Sequence, residues 1–484
     1  MFYRRLIQLA SVSLCLAASG RAEENVWPLF VIRRNEAETA VSEQYLGPLF
    51  FHRSDGVKDV RGLRPFFLTQ RTGENVEKDI LYPLFTWHHQ PGYNWFSIFH
   101  LIERRDNAGD QAPPSGTFDI WPVYFSRKTD DPEKSYQAFF PLGGTTKQRL
   151  GRDQISFVLF PLYLQTKKAG RTVTHTPWPL IRNYSGPGYE GFEFWPLFGR
   201  NTHAGDYDHR FYLWPLVNYS ADHLSAPVPD KRIAVLPFYA RLTGPGYISE
   251  TYLWPFFGYT DRTSPDTYHE RRYFWPFLVQ GRGNQHMVNR WAPFYSHTIT
   301  KSYEKTWHFW PLFRHMRWQD SGVQNDRNQF LFILYWSLEQ HSLTNPAAAP
   351  ARKTHVWPLI TTWDNGAGRE QVQILSPFEP LFQYNTKIRQ LWSPLFALYQ
   401  YDRQPDGTER HAYLWNAITW RRSPGAREFH LGPLFDLRQG ADGKRWSVGC
   451  GLFGSQRTAT GGWRPFLFDF RMKAANKAGS ASSP

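Results

Sequence analysis

Phe194-Trp195-Pro196-Leu197-Phe198 and its near copy Leu213-Trp214-Pro215-Leu216-Val217 decide how this chain folds. Both place proline between an aromatic residue and a large apolar one. The same core returns at Trp27-Pro28, Tyr82-Pro83, Trp254-Pro255, Trp275-Pro276, Trp310-Pro311 and Trp357-Pro358. Weaker copies include Phe160-Pro161, Leu236-Pro237, Ser393-Pro394 and Gly432-Pro433. Twenty copies keep the proline, and each is followed by Leu, Phe or Val. Four more keep the frame with Ser97, Ser337, Asn416 or Gly451 at the proline position. From Pro28 to Pro465 the mean spacing is 19 residues, a period that marks a repeat architecture.

Around each core lie about 9 to 13 residues dense in Phe, Tyr, Trp, Val, Ile and Thr, bounded by turn chemistry. Gly186-Pro187-Gly188-Tyr189, Gly244-Pro245-Gly246-Tyr247 and Asn365-Gly366-Ala367-Gly368 are such boundaries. Helix is the poor alternative for these segments, because an interior proline costs about 3 kcal/mol in each copy. Short connections force antiparallel neighbours, since a parallel crossover needs a dozen residues or more. The expectation is an all-β, up-and-down meander of about 24 strands, each centred on its Trp-Pro-Leu-Phe core. Proline inside a strand removes a ladder bond, so the repeat implies a ring of bulges at one level.

A meander of this length closes, splits or is covered. Equivalent strands argue against a propeller, whose motif would recur once per blade, and favour one large closed β-barrel. A flattened barrel or two-layer soluble β-assembly is the alternative. The strand Phe211–Tyr219 has apolar residues on both faces at its centre, which fits an apolar lumen or a sheet covered on both sides.

Residues 1–22 read as a secretory signal. Arg4 and Arg5 precede the apolar run Leu6–Ala18, with small residues up to Ala22. Residues 23–472 then form a single repeat domain, and 473–484 a flexible polar tail. Beyond the signal Cys450 stands alone, so no internal disulfide framework exists, and a small strand residue is its expected role. The net charge is +14, and removing Arg4, Arg5 and Arg21 leaves +11, scattered through turns and strand ends. No basic stripe of the kind that binds nucleic acid is present.

Motifs for chemistry are missing. There is no Gly-x-Ser-x-Gly elbow, Walker loop or His-Glu-x-x-His, and His269-Glu270-Arg271-Arg272-Tyr273 lacks the second histidine. His308 and His315 differ by an odd number, which within one strand sets them on opposite faces. No catalytic, cofactor-binding or metal residue is therefore assigned. Arg200, Arg241, Arg271, Arg272 and Arg314 at strand ends could anchor the chain at an interface or form an anion-selecting ring. The Trp-Pro-Leu-Phe rows read as a core or a membrane-facing belt.

In plan the chain resembles bacterial outer-membrane β-barrels: exported, aromatic-rich and nearly free of cysteine. That resemblance implies a passive channel or translocator for hydrophobic or amphipathic solutes, with membrane lipid as partner. Anionic envelope polymers or lipopolysaccharide are further partners suited to its positive charge. The alternative is a soluble exported scaffold that binds envelope or extracellular polymers.

Overall fold

The computed structural model describes residues 23–34, 41–108, 114–382, 385–441, 443–458 and 461–469. The signal segment 1–22 and the tail 473–484 lie outside these. The described chain is one antiparallel up-and-down meander of 45 strands, with a single α-helix among the described residues. The all-β meander expected from the repeat is present. The strand count is nearly double the expected one, and the reason lies in where proline sits.

Each repeat is a hairpin of two strands, and its Trp-Pro-Leu core is the turn between them. The strand Tyr189–Phe194 runs up to Trp195-Pro196-Leu197, and Phe198–His203 runs back. Phe194 pairs with Phe198 and Glu193 with Gly199 across the turn. Leu197 N–H donates to Phe194 O at 2.8 Å, closing a four-residue turn with Pro196 in third place. The Trp195–Pro196 peptide is cis, as are Trp27–Pro28 and Trp310–Pro311, which is the type VI arrangement. Proline's missing N–H therefore costs no ladder bond, because the turn asks for none at that position. A bulge ring is not needed, and none forms there.

The other ends of the strands carry tight turns of ordinary hairpin chemistry. Gly186 and Tyr189 flank Pro187-Gly188, with Gly188 at φ +74°, a conformation that proline followed by glycine supplies. Gly244-Pro245-Gly246-Tyr247 repeats it, with Gly246 at φ +67°.

Where proline is absent the turn changes hand. Phe99 and His100 both have positive φ (49° and 56°), as do Trp415 and Asn416 (58° and 77°), the type I′ pattern. Asn416 and Gly451 do hold the proline place, but Ser97 and Ser337 fall inside strands. His100 and Ile333 hold that place in their repeats; neither is a small residue, so the sequence frame missed them. Two proline copies are not hairpin turns: Pro465 stands inside the last strand, Trp463–Leu467, opposite Ser455, and the other ends a helix. Ser393-Pro394-Leu395-Phe396 closes the helix Thr386–Phe396, whose cap is Asn385 accepting from Ile388 N–H at 3.0 Å. Cys450 lies in a turn and not in a strand, at φ 59° between Gly449 and Gly451, with its thiol pushed up by burial.

Contacts divide the chain into two units, residues 83–350 and residues 1–82 with 351–484. In both, one sheet face is crowded and the other open. In the second of these units, N- and C-terminal strands meet through their crowded faces, a two-layer arrangement. Asn25 donates to Asn416 O at 2.8 Å and to Thr419 Oγ1 at 3.2 Å. Arg410 grips the buried Glu23 with two bonds of 2.7 and 2.8 Å. Burial alone would raise the Glu23 carboxyl, but the Arg410 charge and hydrogen bonds hold it down at about 2. The helix lies over the same face, where Leu391 joins Phe51, Val60 and Leu68. Its Lys387 reaches Glu77 at 2.7 Å and Asp79 at 2.9 Å. The first strand, Glu23–Val26, pairs with the second, and the last, Trp463–Leu467, with the one before it. Among the described residues no ladder joins the first strand to the last.

Two consequences are measurable. Glu23→Ala leaves the Arg410 charge buried without its carboxylate, which costs about 3–5 kcal/mol and lowers the denaturant midpoint. Glu23→Ala with Arg410→Met recovers most of that loss. The second concerns His430, which is almost wholly buried. Burial pushes its imidazole down, but Asp436 at 2.9 Å and Glu428 at 3.9 Å outweigh it and raise it to about 9. A folded value above the unfolded one stabilises fully below the unfolded value of about 6.5 and is lost as pH rises through 9. Asp436 is held at about 2, so its share is lost only as pH falls towards that value. Melting temperature should therefore decline from neutral pH to pH 9, and His430→Gln should flatten most of that decline. His52, also raised to about 9 by Glu43 and Asp59, is a third exposed, so screening leaves it the smaller share.

Candidate lipid-facing rim and inner cavity

All the Trp-Pro turns lie on one edge of the ladder, and they are stitched to each other. Leu213 N–H donates to Leu197 O at 2.6 Å and Trp214 N–H to Pro196 O at 2.7 Å. The same pair of bonds joins Leu46 to Leu29 and Gly47 to Pro28, at 3.1 and 2.8 Å. Carbonyls that a turn would otherwise leave unpaired are thus satisfied by the next turn. Trp27, Tyr82, Trp195, Trp214, Trp254, Trp275, Trp310 and Trp357, with the prolines that follow them, all stand in this row of turns.

The residue after proline is apolar in every proline copy, and in most it is exposed. Phe238 is 65% exposed, Leu434 65% and Leu162 60%. A strictly apolar position that faces out is not a core position. The first strand row on the open face extends this apolar edge. Phe194, Phe198, Tyr212, Val217, Val235 and Tyr239 are cross-strand neighbours. In the other unit Ile418, Leu431, Phe435, Val448, Phe453 and Leu467 continue one another in the same way.

One row further in, the open face turns polar. Arg200, Arg210, Tyr219, Ile233, Arg241 and Glu250 are neighbours there. Arg200 pairs with Asp208 at 3.2 Å, and Arg241 with Glu250 at 3.4 Å. Asp208 is drawn below its usual range, first by its bond to Arg210 and then, against burial, by Arg200. The five arginines do not form one ring. Arg200, Arg241 and Arg271 lie on the open face, with Arg271 over the Tyr259 ring at 5.0 Å. Arg272 and Arg314 lie on the crowded face, where Arg272 donates to Glu250 O and Tyr259 O, both at 2.9 Å. His308 and His315 share the open face, because a turn intervenes and resets the parity. His315 bonds Asp326 at 3.0 Å. No group of His, Cys, Asp and Glu able to hold a metal ion occurs among the described residues.

On the crowded face side chains are small where neighbouring strands come close. A β-carbon on Gly199 would stand 2.3 Å from the Phe211 ring, and one on Gly258 2.1 Å from Glu250 O. In the unit 83–350 this face holds a cavity of about 1240 Å³. At the rim end it is lined by Trp178, Trp195, Trp214 and Trp254, and Trp195 and Trp214 touch with centroids 5.7 Å apart. Its polar wall contains Glu193, which accepts from Arg182 (3.1 Å), Tyr184 (3.0 Å) and Asn201 (2.6 Å). Burial first, and the Glu193 charge second, raise the Tyr184 hydroxyl to about 12. This cavity had no sequence signal, because its residues come from strands whose alternation becomes visible only once the turns are located.

No protein-family model matches the chain, and no curated protein is significantly similar to it. Gly199 is one of the tightest positions on the crowded face. Gly199→Val should destabilise by about 1–3 kcal/mol through the Phe211 and Glu193 clashes, read as a lowered melting temperature, whereas Gly462→Ala, with open space around it and no left-handed backbone, should cost less than half as much.

Proposed function

We propose that the protein is an exported β-repeat scaffold that seats on a lipid layer by its rim of proline turns and offers its crowded face to amphipathic molecules. The observation that carries this reading is the position after proline, apolar in every copy and exposed in most. Apolar side chains of this size favour hydrocarbon over water by about 1.5–3 kcal/mol each, so a few inserted copies suffice for stable association. Net positive charge favours anionic headgroups.

The depth of the belt separates seating from spanning. Turn and first strand row together rise about 10 Å, comparable with the roughly 5–10 Å that interfacial elements bury. A spanning barrel presents an apolar band about 25 Å tall on strands of about 10 residues. Here strands such as Phe198–His203 have six residues, and charged pairs begin at the second row. Among the described residues no helix is long and apolar enough to cross a membrane, which says nothing of a β-barrel. A channel through a spanning barrel is thus the less supported of the two lipid readings. Export itself rests on the segment 1–22.

Flotation with vesicles containing phosphatidylglycerol tests this. The wild type should float. The fourfold variant Leu142→Ser, Leu162→Ser, Phe238→Ser, Phe294→Ser should lose at least about tenfold in vesicle affinity, with its melting temperature little changed. Release of the wild type from vesicles by an alkaline wash fits seating. Retention would argue for a spanning barrel, and a fourfold variant that floats as well as wild type would remove the rim from the mechanism.

A further inference from the structure

The cavity in the unit 83–350 runs along the strands, from the rim towards the tight-turn edge, and its chemistry changes along that axis. At the rim stand the tryptophans. Next comes a floor of small side chains, Asn218, Ala234 and Ala240, direct neighbours across the ladder. Both alanines line the cavity with little of their own surface exposed. One step further along the same strand Asp230–Val235, and on the same face, is Arg232, between Ser220 and Leu242.

The charges that line the cavity are mostly spent on partners. Glu193 is held by Arg182, Asp222 by His209 at 2.8 Å and Asp230 by His223 at 2.8 Å. Arg210 is paired with Asp208. Arg232 has no carboxylate partner and is exposed to the cavity. The balance is an aromatic apolar end, a slot of small residues, and two adjacent unpaired cations, Arg232 on the cavity face and Lys231 beside it, about two strand rows inward, roughly 7 Å per row.

We propose that this cavity binds one amphiphile with a single acyl chain and an anionic headgroup, the head on Arg232 and the chain over Ala234 and Ala240 towards Trp214 and Trp254. The proposal rests on the rim reading for its direction, because the apolar end of the slot opens where the belt meets lipid. The shared chemistry is an anionic head on a hydrocarbon chain, whether it comes from a free fatty acid or from a single-chain phospholipid. An aromatic mouth, small floor and positive end together exceed what a structural sheet face requires, since Arg232 buries nothing and pairs with nothing.

The test uses the full-length mature protein without detergent and cis-parinaric acid, a fluorescent long-chain carboxylate excited by energy transfer from tryptophan. Binding should be saturable at one probe per chain, and displaced by oleate and by lysophosphatidylglycerol. Displacement by oleate alone would identify the free acid as the source, and by the phospholipid alone the lipid. Parinaryl alcohol should bind about tenfold more weakly, and Arg232→Gln should erase that preference, as expected for one charge-assisted contact. Ala234→Trp should abolish binding, and Ala240→Leu, a milder block with less risk to folding, should weaken it severalfold. Wild-type binding by either folded cavity variant, or an unchanged preference for the carboxylate in Arg232→Gln, would overturn the site. Vesicle flotation of these variants keeps the two readings apart. Flotation retained with probe binding lost supports the site, and a fourfold rim variant that binds the probe without floating leaves the site standing while the seating reading falls.

Discussion

The absence of an N–H on proline organises this molecule. A residue that cannot donate is costly inside a ladder and harmless in the third place of a tight turn, so most repeats are pinned with the core at a strand end. Once pinned, the turns hydrogen-bond to one another, as Leu213 to Leu197 and Trp214 to Pro196, and the edge of the sheet becomes a ladder in its own right. Register follows. A slip of one residue would break the turn-to-turn bonds and would send every side chain to the other face.

That pinning generates the distribution of polarity. With Trp, Pro and Leu confined to one edge, the six residues between edges must supply both ends of a gradient. Phe198 is apolar next to the turn, Arg200 is charged, and His203 stands beside the tight turn at the far edge. Neighbouring repeats copy the gradient, so the open face is apolar along one edge and charged beyond it. The crowded face solves a different problem: it admits glycine, alanine and asparagine where strands converge, as at Gly199 under Phe211. Where those residues cluster, space is left over.

Much of the fold is legible in the sequence, because a period of 19 residues with proline at its centre admits only short antiparallel segments. What misleads is the assumption that the most apolar residues mark a strand's middle. Trp195 and Pro196 are the most distinctive residues of their repeat and belong to the turn, so each repeat holds two strands and not one. Side-chain parity counted through Pro311 then puts His308 and His315 on opposite faces, when the turn between them returns both to the same one. Ser97 and Ser337 were framed by size, yet a left-handed pair such as Phe99-His100 needs backbone conformation, not a small side chain. Ser393-Pro394-Leu395-Phe396 shows the converse: a faithful copy of the motif, preceded by a capping Asn385 and a helix-compatible run, ends a helix instead. The cavity has no counterpart in the sequence pattern, because its lining comes from strands whose faces are set only by the turns.

The gradient along each strand bears on what the molecule can do at a membrane. A protein that spans a bilayer needs a whole face apolar over about 25 Å, and neither face here offers that, since Arg200 and Asp208 pair on the open face and Arg182 and Glu193 on the crowded one. An apolar edge backed by paired charges has a preferred depth instead. Deeper insertion would strip water from the Arg200–Asp208 and Arg241–Glu250 pairs, at a cost that exposed ion pairs do not offset. Shallower seating would leave residues such as Leu162 and Phe238 in water. The two penalties oppose each other within about two strand rows, roughly 14 Å. A scaffold held at that depth keeps Arg232, two rows in from the turns, on the aqueous side.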